Sequence, residues 1–360
     1  MEIIIITHKT VGLYKDAELY KKYLVKNKCS VNIITVYYNT NIDSNTDKPF
    51  KYNPINILLF LENIPENINS YKAKQIWFMP NYELFNIDKH IKKLDYINYI
   101  LCKTKITLEM FKFLKQEHNL TYKLLYTKFS SHIPKYLKLN PIKDPNLFVL
   151  LAGTSPYKNT AYLVYNWIRN NGYMDLDKDI KLYITCTQRC FTGMIEDLNN
   201  YLELEHKYNI FYDNTEQDTF VYKNMTIYNK IIETREYDYL LSCANVVICP
   251  SSKEGYSHNI NEARYFNSFV ITNDFRPMNE LIKDGDNGLL IKKLDKNKKI
   301  YKSSKYVLYT VYPDLDELTK KIIYCIKNKN NLNTNLNSRK YFMDDLRFFK
   351  KKIKKLIKNI

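Results

Sequence analysis

The sequence predicts an α/β protein built from two doubly wound, parallel-sheet halves. Apolar runs of strand length alternate along the chain with stretches of helical period, which is the order expected of β-α-β units. Residues 137–146 interrupt this alternation with Pro141 and Pro145 among lysines, which indicates a linker. The chain has 360 residues. Since one domain takes roughly 150 residues, two domains are expected.

The first half, residues 1–140, is predicted to form one Rossmann-like domain. It opens with a strand at 2–7 that contains four consecutive isoleucines, and such apolar runs are typical of strands buried on both faces of a sheet. The remaining elements alternate, with strands at 31–37, 55–62, 75–79 and 99–103 and helices at 16–26 and 106–115. This order favours a parallel sheet covered by helices.

The second half, residues 146–335, shows the same alternation without repeating the sequence. Its first strand, 147–151, breaks at Gly153 and leads into a helix at 161–168. Strands at 180–185, 209–212, 246–249, 269–272 and 288–291 and helices at 236–243 and 260–266 complete the prediction. This half is therefore expected to be a second Rossmann-like domain.

Residues 338–360 predict a basic, amphipathic C-terminal helix. Lysine occupies positions 350, 351, 352, 354, 355 and 358. The apolar residues recur at helical spacing, so one face is apolar; they are Leu346, Phe349, Ile353, Leu356, Ile357 and Ile360. We expect this face to pack back on the first domain, and contact with an anionic membrane surface is the alternative.

Charge and composition leave the class of partner open. The 55 basic and 38 acidic residues give a net charge of +17, which suits nucleic acid or an anionic membrane. An AT-rich genome explains the excess equally, because Lys, Asn, Ile and Tyr are abundant while only 7 Gly and 11 Pro occur. The seven cysteines contain no C-x-x-C pair, which favours reduced core thiols in a cytoplasmic protein. Neither a membrane-spanning run nor a signal-peptide pattern is visible.

The strongest functional signal lies between Pro250 and Ile291. A strand ends at Pro250, a loop with Glu254 and Gly255 follows, and a helix carries Glu262. The free N–H groups of the helix start favour an anion, and glycine lets the backbone approach a ligand closely. Both glutamates can face the crevice beyond the carboxyl ends of the strands. Carboxylates accept two hydrogen bonds at once, which suits sugar or ribose hydroxyls.

This segment resembles the Glu-x7-Glu signature of retaining glycosyltransferases with the GT-B fold, especially glycosyltransferase family 4. That family's pattern is P-S-x-x-E-G-F/Y-G-x-x-x-x-E-A, then a V-I strand and a later E-L-I-x-D-G-x-N-G, and the counterparts appear here in order over 42 residues. The version found here is similar to a subgroup from large DNA viruses and microbial eukaryotes. Ser257 replaces the usual second glycine, Asn267 another glycine, and Phe269 a proline.

A second loop is similar to the family's G-R-x-x-x-x-K-G loop, whose basic pair grips the diphosphate of the nucleotide sugar. It reads Gly153-Thr154-Ser155-Pro156-Tyr157-Lys158. Lys158 matches the family's lysine, whereas Thr154 stands at the arginine position. One charge is therefore missing unless Lys9, Arg264 or Arg276 supplies it.

The resemblance implies a GT-B architecture in which the two domains face a central cleft, and a retaining transfer of a sugar from a nucleotide sugar to a glycan, lipid-linked or protein-linked acceptor. No cofactor and no metal ion is implied, because basic side chains and helix N-termini would neutralise the departing diphosphate. Glu254, His258 and Lys158 carry the implied catalytic roles, with Glu254 on donor-sugar hydroxyls and Glu262 on ribose hydroxyls. The implied donor-binding set is Gly153, Thr154, Ser155, Lys158, Glu254, Gly255, Tyr256, Ser257, His258, Asn259 and Glu262. The first domain would contribute His8, Lys9, Gly12 and His132 on the acceptor side.

Asp-x-Asp triplets, which hold manganese in the other major transferase fold, occur at 175–177 and 314–316. The first lies in a polar loop, and the second precedes a helix whose N–H groups an aspartate can cap. We therefore expect loop solvation and helix capping rather than metal binding.

Two other function classes remain open. The positive charge would suit a GT-B enzyme with DNA as acceptor, although the even spread of lysines argues against nucleic acid. An inactive transferase fold that serves as an adaptor would fit the threonine at position 154, although the presence of both Glu254 and Glu262 argues against it.

Overall fold

The computed structural model describes residues 1–36, 55–133, 142–201, 219–230, 232–297, 310–334 and 336–360. These residues divide into two units. The first unit holds Met1–His132 and Met343–Ile360, and the second holds the described residues from Ile133 to Phe342.

The first unit contains a six-stranded sheet in which every neighbouring pair of strands is parallel. Its strands are β1 (Glu2–His8), β2 (Ser30–Val36), β3 (Ile55–Leu61), β4 (Ala73–Met79), β5 (Tyr99–Cys102) and β6 (Lys123–Tyr126). Their spatial order is β2-β1-β3-β4-β5-β6. The helices are α1 (Val11–Lys26), α2 (Ile87–His90) and α3 (Lys105–Glu117). The four isoleucines of β1 are buried, as expected for a strand covered on both faces.

Helix α1 begins earlier than the sequence analysis predicted, at Val11 instead of residue 16. Thr10 caps it, because its side-chain oxygen accepts a hydrogen bond from the backbone N–H of Leu13 at 3.3 Å. Gly12 therefore lies in the first helical turn, before the predicted start of the helix.

The second unit contains a seven-stranded sheet with the order β13-β12-β11-β7-β8-β10-β9. Its strands are β7 (Asp144–Gly153), β8 (Lys181–Cys186), β9 (Thr219–Tyr222), β10 (Met225–Asn229), β11 (Ala244–Cys249), β12 (Phe269–Asn273) and β13 (Gly288–Ile291). All neighbours are parallel except β9, which runs antiparallel to β10 at the edge. Strands β14 (Leu294–Asn297) and β15 (Thr310–Pro313) form a separate antiparallel pair.

The helices of the second unit connect these strands. They are α4 (Thr160–Arg169), α5 (Gln188–Tyr201), α6 (Thr234–Cys243), α7 (His258–Tyr265), α8 (Met278–Leu281) and α9 (Leu315–Lys327). The last helix, α10 (Ser338–Lys358), contains the division between the two units after Phe342.

Several elements differ from the prediction. Strand β7 begins at Asp144, inside the predicted linker, with Pro145 near its start, where a missing N–H group is tolerated. Strands β6, β9 and β10 were missed because each has only four or five residues with mixed burial. Helix α5 was also missed. The strand predicted at 209–212 lies outside the described residues.

The apolar face of α10 packs inside the first unit. The ring of Phe349 is fully buried, and its centroid lies 5.4 Å from that of Tyr20, 5.8 Å from Tyr23 and 5.2 Å from Phe129. All three contacts are edge-to-face arrangements, which favour aromatic pairs beyond the apolar area that they bury. This cluster fixes the C-terminal helix to α1 and to the segment that follows β6.

Replacing Phe349 with alanine should therefore lower the stability of the first unit strongly. The cavity left among three aromatic rings predicts a loss of about 3–5 kcal/mol, measured as a lower urea midpoint. Lys354→Ala, on the exposed side of the same helix, is the matched control and should leave the midpoint nearly unchanged. Equal effects of the two substitutions would contradict the proposed role of the aromatic cluster.

Candidate functional site

The strand order of the second unit reverses between β7 and β11, so the loops that follow these two strands lie side by side. The backbone N–H of Ser252 donates to the carbonyl of Tyr157 at 2.7 Å. The Asn159 side-chain amide donates to the carbonyl of Pro250 at 2.6 Å. Doubly wound sheets bind ligands at this kind of reversal, outside the carboxyl ends of the strands.

Lys158 and Glu254 form an ion pair where the two loops meet. The Lys158 Nζ lies 2.5 Å from the Glu254 Oε1, and the two side chains are only 11% and 12% exposed. The same ammonium also donates to the Asn259 Oδ1 at 3.3 Å. The structure thus brings together three residues that the sequence analysis assigned to one site. It also shows that the positive charge of Lys158 is balanced inside the protein.

Glu262 lies on α7 and is buried. Its Oε2 accepts a hydrogen bond from the hydroxyl of Tyr237 at 2.7 Å. Burial and the neighbouring Glu262 carboxylate raise the pKa of Tyr237 well above its ordinary value, so the hydroxyl stays a neutral donor. No sequence pattern indicated Tyr237, because its contact with Glu262 joins residues of two helices that are 25 positions apart in the sequence. The bond orients the carboxylate of Glu262.

Ser257 adopts a left-handed backbone conformation immediately before α7, with φ +74° and ψ +69°. Glycine adopts this conformation without steric cost, which accounts for the glycine that the family pattern places here. The hydroxyl of Ser257 is buried without a hydrogen-bond partner among the described residues. His258 then opens α7, and its ring contacts that of Tyr256 edge-on at a centroid distance of 5.6 Å.

The loop after β7 begins with Gly153 in a left-handed conformation, φ +58°. The first turn of α5 packs against this loop: the N–H of Thr187 donates to the Gly153 carbonyl at 3.0 Å, and the Cys190 thiol donates to the Ser155 carbonyl at 3.2 Å. Thr154 is exposed. Arg189, also exposed, lies on this turn next to Cys190. No sequence motif pointed to Arg189, because its nearness to the loop depends on how β8 and α5 fold.

Arg264 and Lys9 were named above as possible substitutes for the missing arginine, and their surroundings differ from those of Arg189. Arg264 is buried, and its guanidinium donates to the Asn261 Oδ1 at 2.7 Å within the same helix. Lys9 belongs to the first unit.

Burial raises the pKa of the two cysteines near the site, Cys190 and Cys249. Burial raises the pKa of Cys249 to about 12, and the charge of Lys158 opposes this shift only in part. The Asn259 amide donates to the Cys249 sulfur at 3.2 Å. All seven cysteines of the chain are free and six are buried, which confirms the prediction of reduced core thiols.

Among the residues predicted for the acceptor side, His8 and Lys9 lie at the carboxyl end of β1. His8 ends β1, and its Nε2 lies 2.8 Å from the Asn63 side-chain nitrogen. Burial lowers the pKa of His8, while the charge of Glu62 acts in the opposite direction. Lys9 donates its backbone N–H to the Val36 carbonyl at 3.0 Å. His132 has a different neighbour, since its Nε2 lies 3.0 Å from the Lys15 carbonyl on α1.

The Asp-x-Asp triplets have structural partners. Asp314 caps α9 by accepting from the Glu317 N–H at 2.9 Å, which confirms the prediction of helix capping. Asp316 pairs with Arg169 at 2.6 Å, and Asp177 pairs with Lys329. Within the described ranges, no group of three or more His, Cys, Asp or Glu side chains could hold a metal ion. No helix in the described part of the chain is both long and apolar enough to cross a membrane.

Comparison with known protein families gives a match to one segment of the chain. Residues 220–341, which include Glu254 and Glu262, match the family described as "Glycosyl transferases group 1". No curated protein matches the sequence significantly.

Several solved structures share the fold. The chain is similar to sucrose-phosphate synthase from Thermosynechococcus elongatus at 12% identity and a TM-score of 0.65, over 100% of this chain and 99% of that one. It is similar to the E. coli trehalose-6-phosphate protein bound with UDP-2-fluoro glucose at 9% identity and a TM-score of 0.64, over 100% and 98%. It is also similar to the pneumococcal O-GlcNAc transferase GtfA in complex with UDP and GlcNAc, at 14% identity and a TM-score of 0.51. That match covers 84% of this chain and 56% of the other, longer chain.

The two parallel-sheet α/β units therefore define a protein of the GT-B fold, as the sequence predicted. Its segment 220–341 carries the pattern of the glycosyl transferases group 1.

The strain at Ser257 can be measured directly. Ser257→Gly should raise the stability of the second unit by about 1 kcal/mol, because relief of a left-handed side chain outweighs the entropy that glycine adds to the unfolded chain. Ser257→Ala removes the buried hydroxyl but keeps the strain, so it separates the two causes. A lower thermal midpoint for the glycine variant than for the natural protein would sink this explanation.

Proposed function

We propose that this protein is a retaining, metal-independent glycosyltransferase, similar to glycosyltransferase family 4, that uses a nucleotide-diphosphate sugar as donor. One observation carries the proposal: the ion pair of Lys158 with Glu254 lies at the strand-order reversal of the second unit, in loops similar to a family's donor-binding loops. The acceptor is a glycan, a lipid-linked sugar or a glycoprotein.

The ion pair suggests how the site accepts its donor. A diphosphate would compete with Glu254 for the ammonium of Lys158, since both ligands offer charged oxygens. Once released, the Glu254 carboxylate would be available for donor-sugar hydroxyls. Lys158 thus exchanges Glu254 for the diphosphate, and Glu254 exchanges Lys158 for the sugar hydroxyls. Neither charge is left buried without a partner.

Glu262 is assigned to the ribose. Its Oε2 accepts from Tyr237, which orients the carboxylate, and each carboxylate oxygen can accept more than one hydrogen bond. Structures similar in fold contain UDP with GlcNAc or UDP-2-fluoro glucose, which supports a sugar linked to a nucleoside diphosphate as the class of donor.

Arg189 is assigned to the diphosphate as its second cation. Thr154 offers no charge at the position where the resemblance implies arginine, and Lys158 already shares its charge with Glu254. Arg189 is exposed on the first turn of α5, which is hydrogen-bonded to the loop that holds Thr154. An arginine side chain can also bind phosphate oxygens in a bidentate manner.

A thermal-shift screen against nucleotide sugars tests the proposal. A donor at about 100 times its dissociation constant should stabilise the protein by roughly 2.7 kcal/mol. Glu262→Ala should weaken donor binding by about 1.5–3 kcal/mol, since a charge-assisted hydrogen bond is lost. Glu236→Ala, on the exposed side of α6, is the matched control and should bind normally.

Turnover of the same donor should persist in excess EDTA. Loss of turnover on chelation would overturn metal independence. If no nucleotide sugar shifts the melting temperature, the hypothesis of an inactive transferase fold that serves as an adaptor replaces the hypothesis of an enzyme.

The role of Arg189 has its own test. Arg189→Gln should weaken UDP binding by about tenfold, as expected for loss of one charge-assisted contact. It should leave the weaker binding of uridine, which lacks phosphate, unchanged. Adding Thr154→Arg to Arg189→Gln should restore UDP affinity. If UDP binds both the natural protein and Arg189→Gln equally well, Arg189 is not the second cation.

A further inference from the structure

Three ammonium groups converge on one aromatic ring in the first unit. The Nζ atoms of Lys22 and Lys26, both near the end of α1, lie 5.8 and 5.6 Å from the ring centroid of Tyr23. The Nζ of Lys350 on α10 lies 5.3 Å from the same centroid. We call Lys22, Lys26 and Lys350 the lysine cluster. The face of an aromatic ring attracts cations, but the like charges repel one another.

The surroundings of the cluster add to its positive field. Residues 21–28 contain four lysines, residues 350–358 contain six lysines, and neither segment contains an acidic residue. Burial and the charge of Lys26 both lower the pKa of Lys350, so its charged form is held there at a cost. A bound anion beside Lys26 and Lys350 would relieve the repulsion between these two ammonium groups.

The geometry of α10 limits how this surface can contact a membrane. Phe349 and Ile353, on the apolar face, are fully buried within the first unit. These two side chains are therefore unavailable for insertion into a bilayer. What remains outward is the lysine side of the helix, which can bind headgroups only by charge.

We propose that the lysine cluster and the outward side of α10 dock on the surface of an anionic lipid bilayer, with a lipid phosphate seated beside Lys26 and Lys350. This inference does not depend on the donor site or on the proposed function. Each lysine near an anionic surface contributes about a fivefold gain in affinity.

Two observations favour a membrane over single-stranded nucleic acid. Proteins bind single-stranded nucleic acids through exposed aromatic rings on which the bases stack, but Tyr23 is only 5% exposed. Beside the cluster, the aliphatic side chain of Val25 is 49% exposed. An aliphatic group among lysines fits the headgroup boundary of a bilayer, where apolar and charged groups meet.

Vesicle co-sedimentation of the full chain tests the proposal. The protein should bind vesicles of phosphatidylcholine with phosphatidylserine, should not bind pure phosphatidylcholine, and should be released by salt. The double variant Lys26→Gln/Lys350→Gln should bind about 30-fold more weakly, at about fivefold for each lysine. The matched control, Lys320→Gln/Lys327→Gln, removes two exposed lysines from α9 in the second unit and should bind like the natural protein. Thermal melts of both variants establish that they fold.

Three outcomes would overturn the proposal. The first is no binding to the anionic vesicles. The second is an equal loss in both double variants, which would show that only total charge matters. The third is binding of the chain to duplex DNA, lost in Lys26→Gln/Lys350→Gln, without binding to vesicles; the surface would then serve nucleic acid.

Discussion

The Lys158–Glu254 ion pair depends on a single topological fact, the reversal of strand order between β7 and β11. Because the two strands are neighbours and parallel, their following loops leave the same edge of the sheet and meet. The two residues are 96 positions apart in the chain, yet the sheet places them 2.5 Å from each other. This meeting of the two loops also brings together the first residues of α4 and α7. It allows the hydrogen bonds from the Asn159 amide to the Pro250 carbonyl and from the Lys158 ammonium to Asn259.

Several charged side chains that leave water in the described structure have partners. Lys158 has Glu254, Glu262 has the hydroxyl of Tyr237, and in the first unit Lys103 pairs with Asp16 at 2.9 Å. Removing one partner of such a pair costs more than the pair contributes, since the remaining charge is left buried. The Lys158–Glu254 pair differs from the Lys103–Asp16 pair in its exposure: its side chains are 11% and 12% exposed, against 2% and 3%. That residual access is what a ligand needs in order to replace one partner.

The left-handed Ser257 shows how a departure from a family pattern can be tolerated. A serine side chain is strained there, and its hydroxyl is buried without a partner in the described structure. The surrounding backbone nevertheless keeps the conformation, because β11 and α7 on either side are buried almost completely. A glycine-poor sequence can thus keep the geometry of a glycine loop at the expense of stability.

The sequence by itself determined the alternation of strands and helices, the buried isoleucine strand of the first sheet, and the loop-helix segment with Glu254 and Glu262. These features are local: periodicity, apolar runs and motif spacing are properties of neighbouring residues. It could not determine the short strands β6, β9 and β10, whose pattern is too brief to distinguish from loops. It also could not show the bond between Tyr237 and Glu262, the place of Arg189, or the three lysines around Tyr23. Only the tertiary structure decided these, because each depends on which distant elements the parallel sheet brings together.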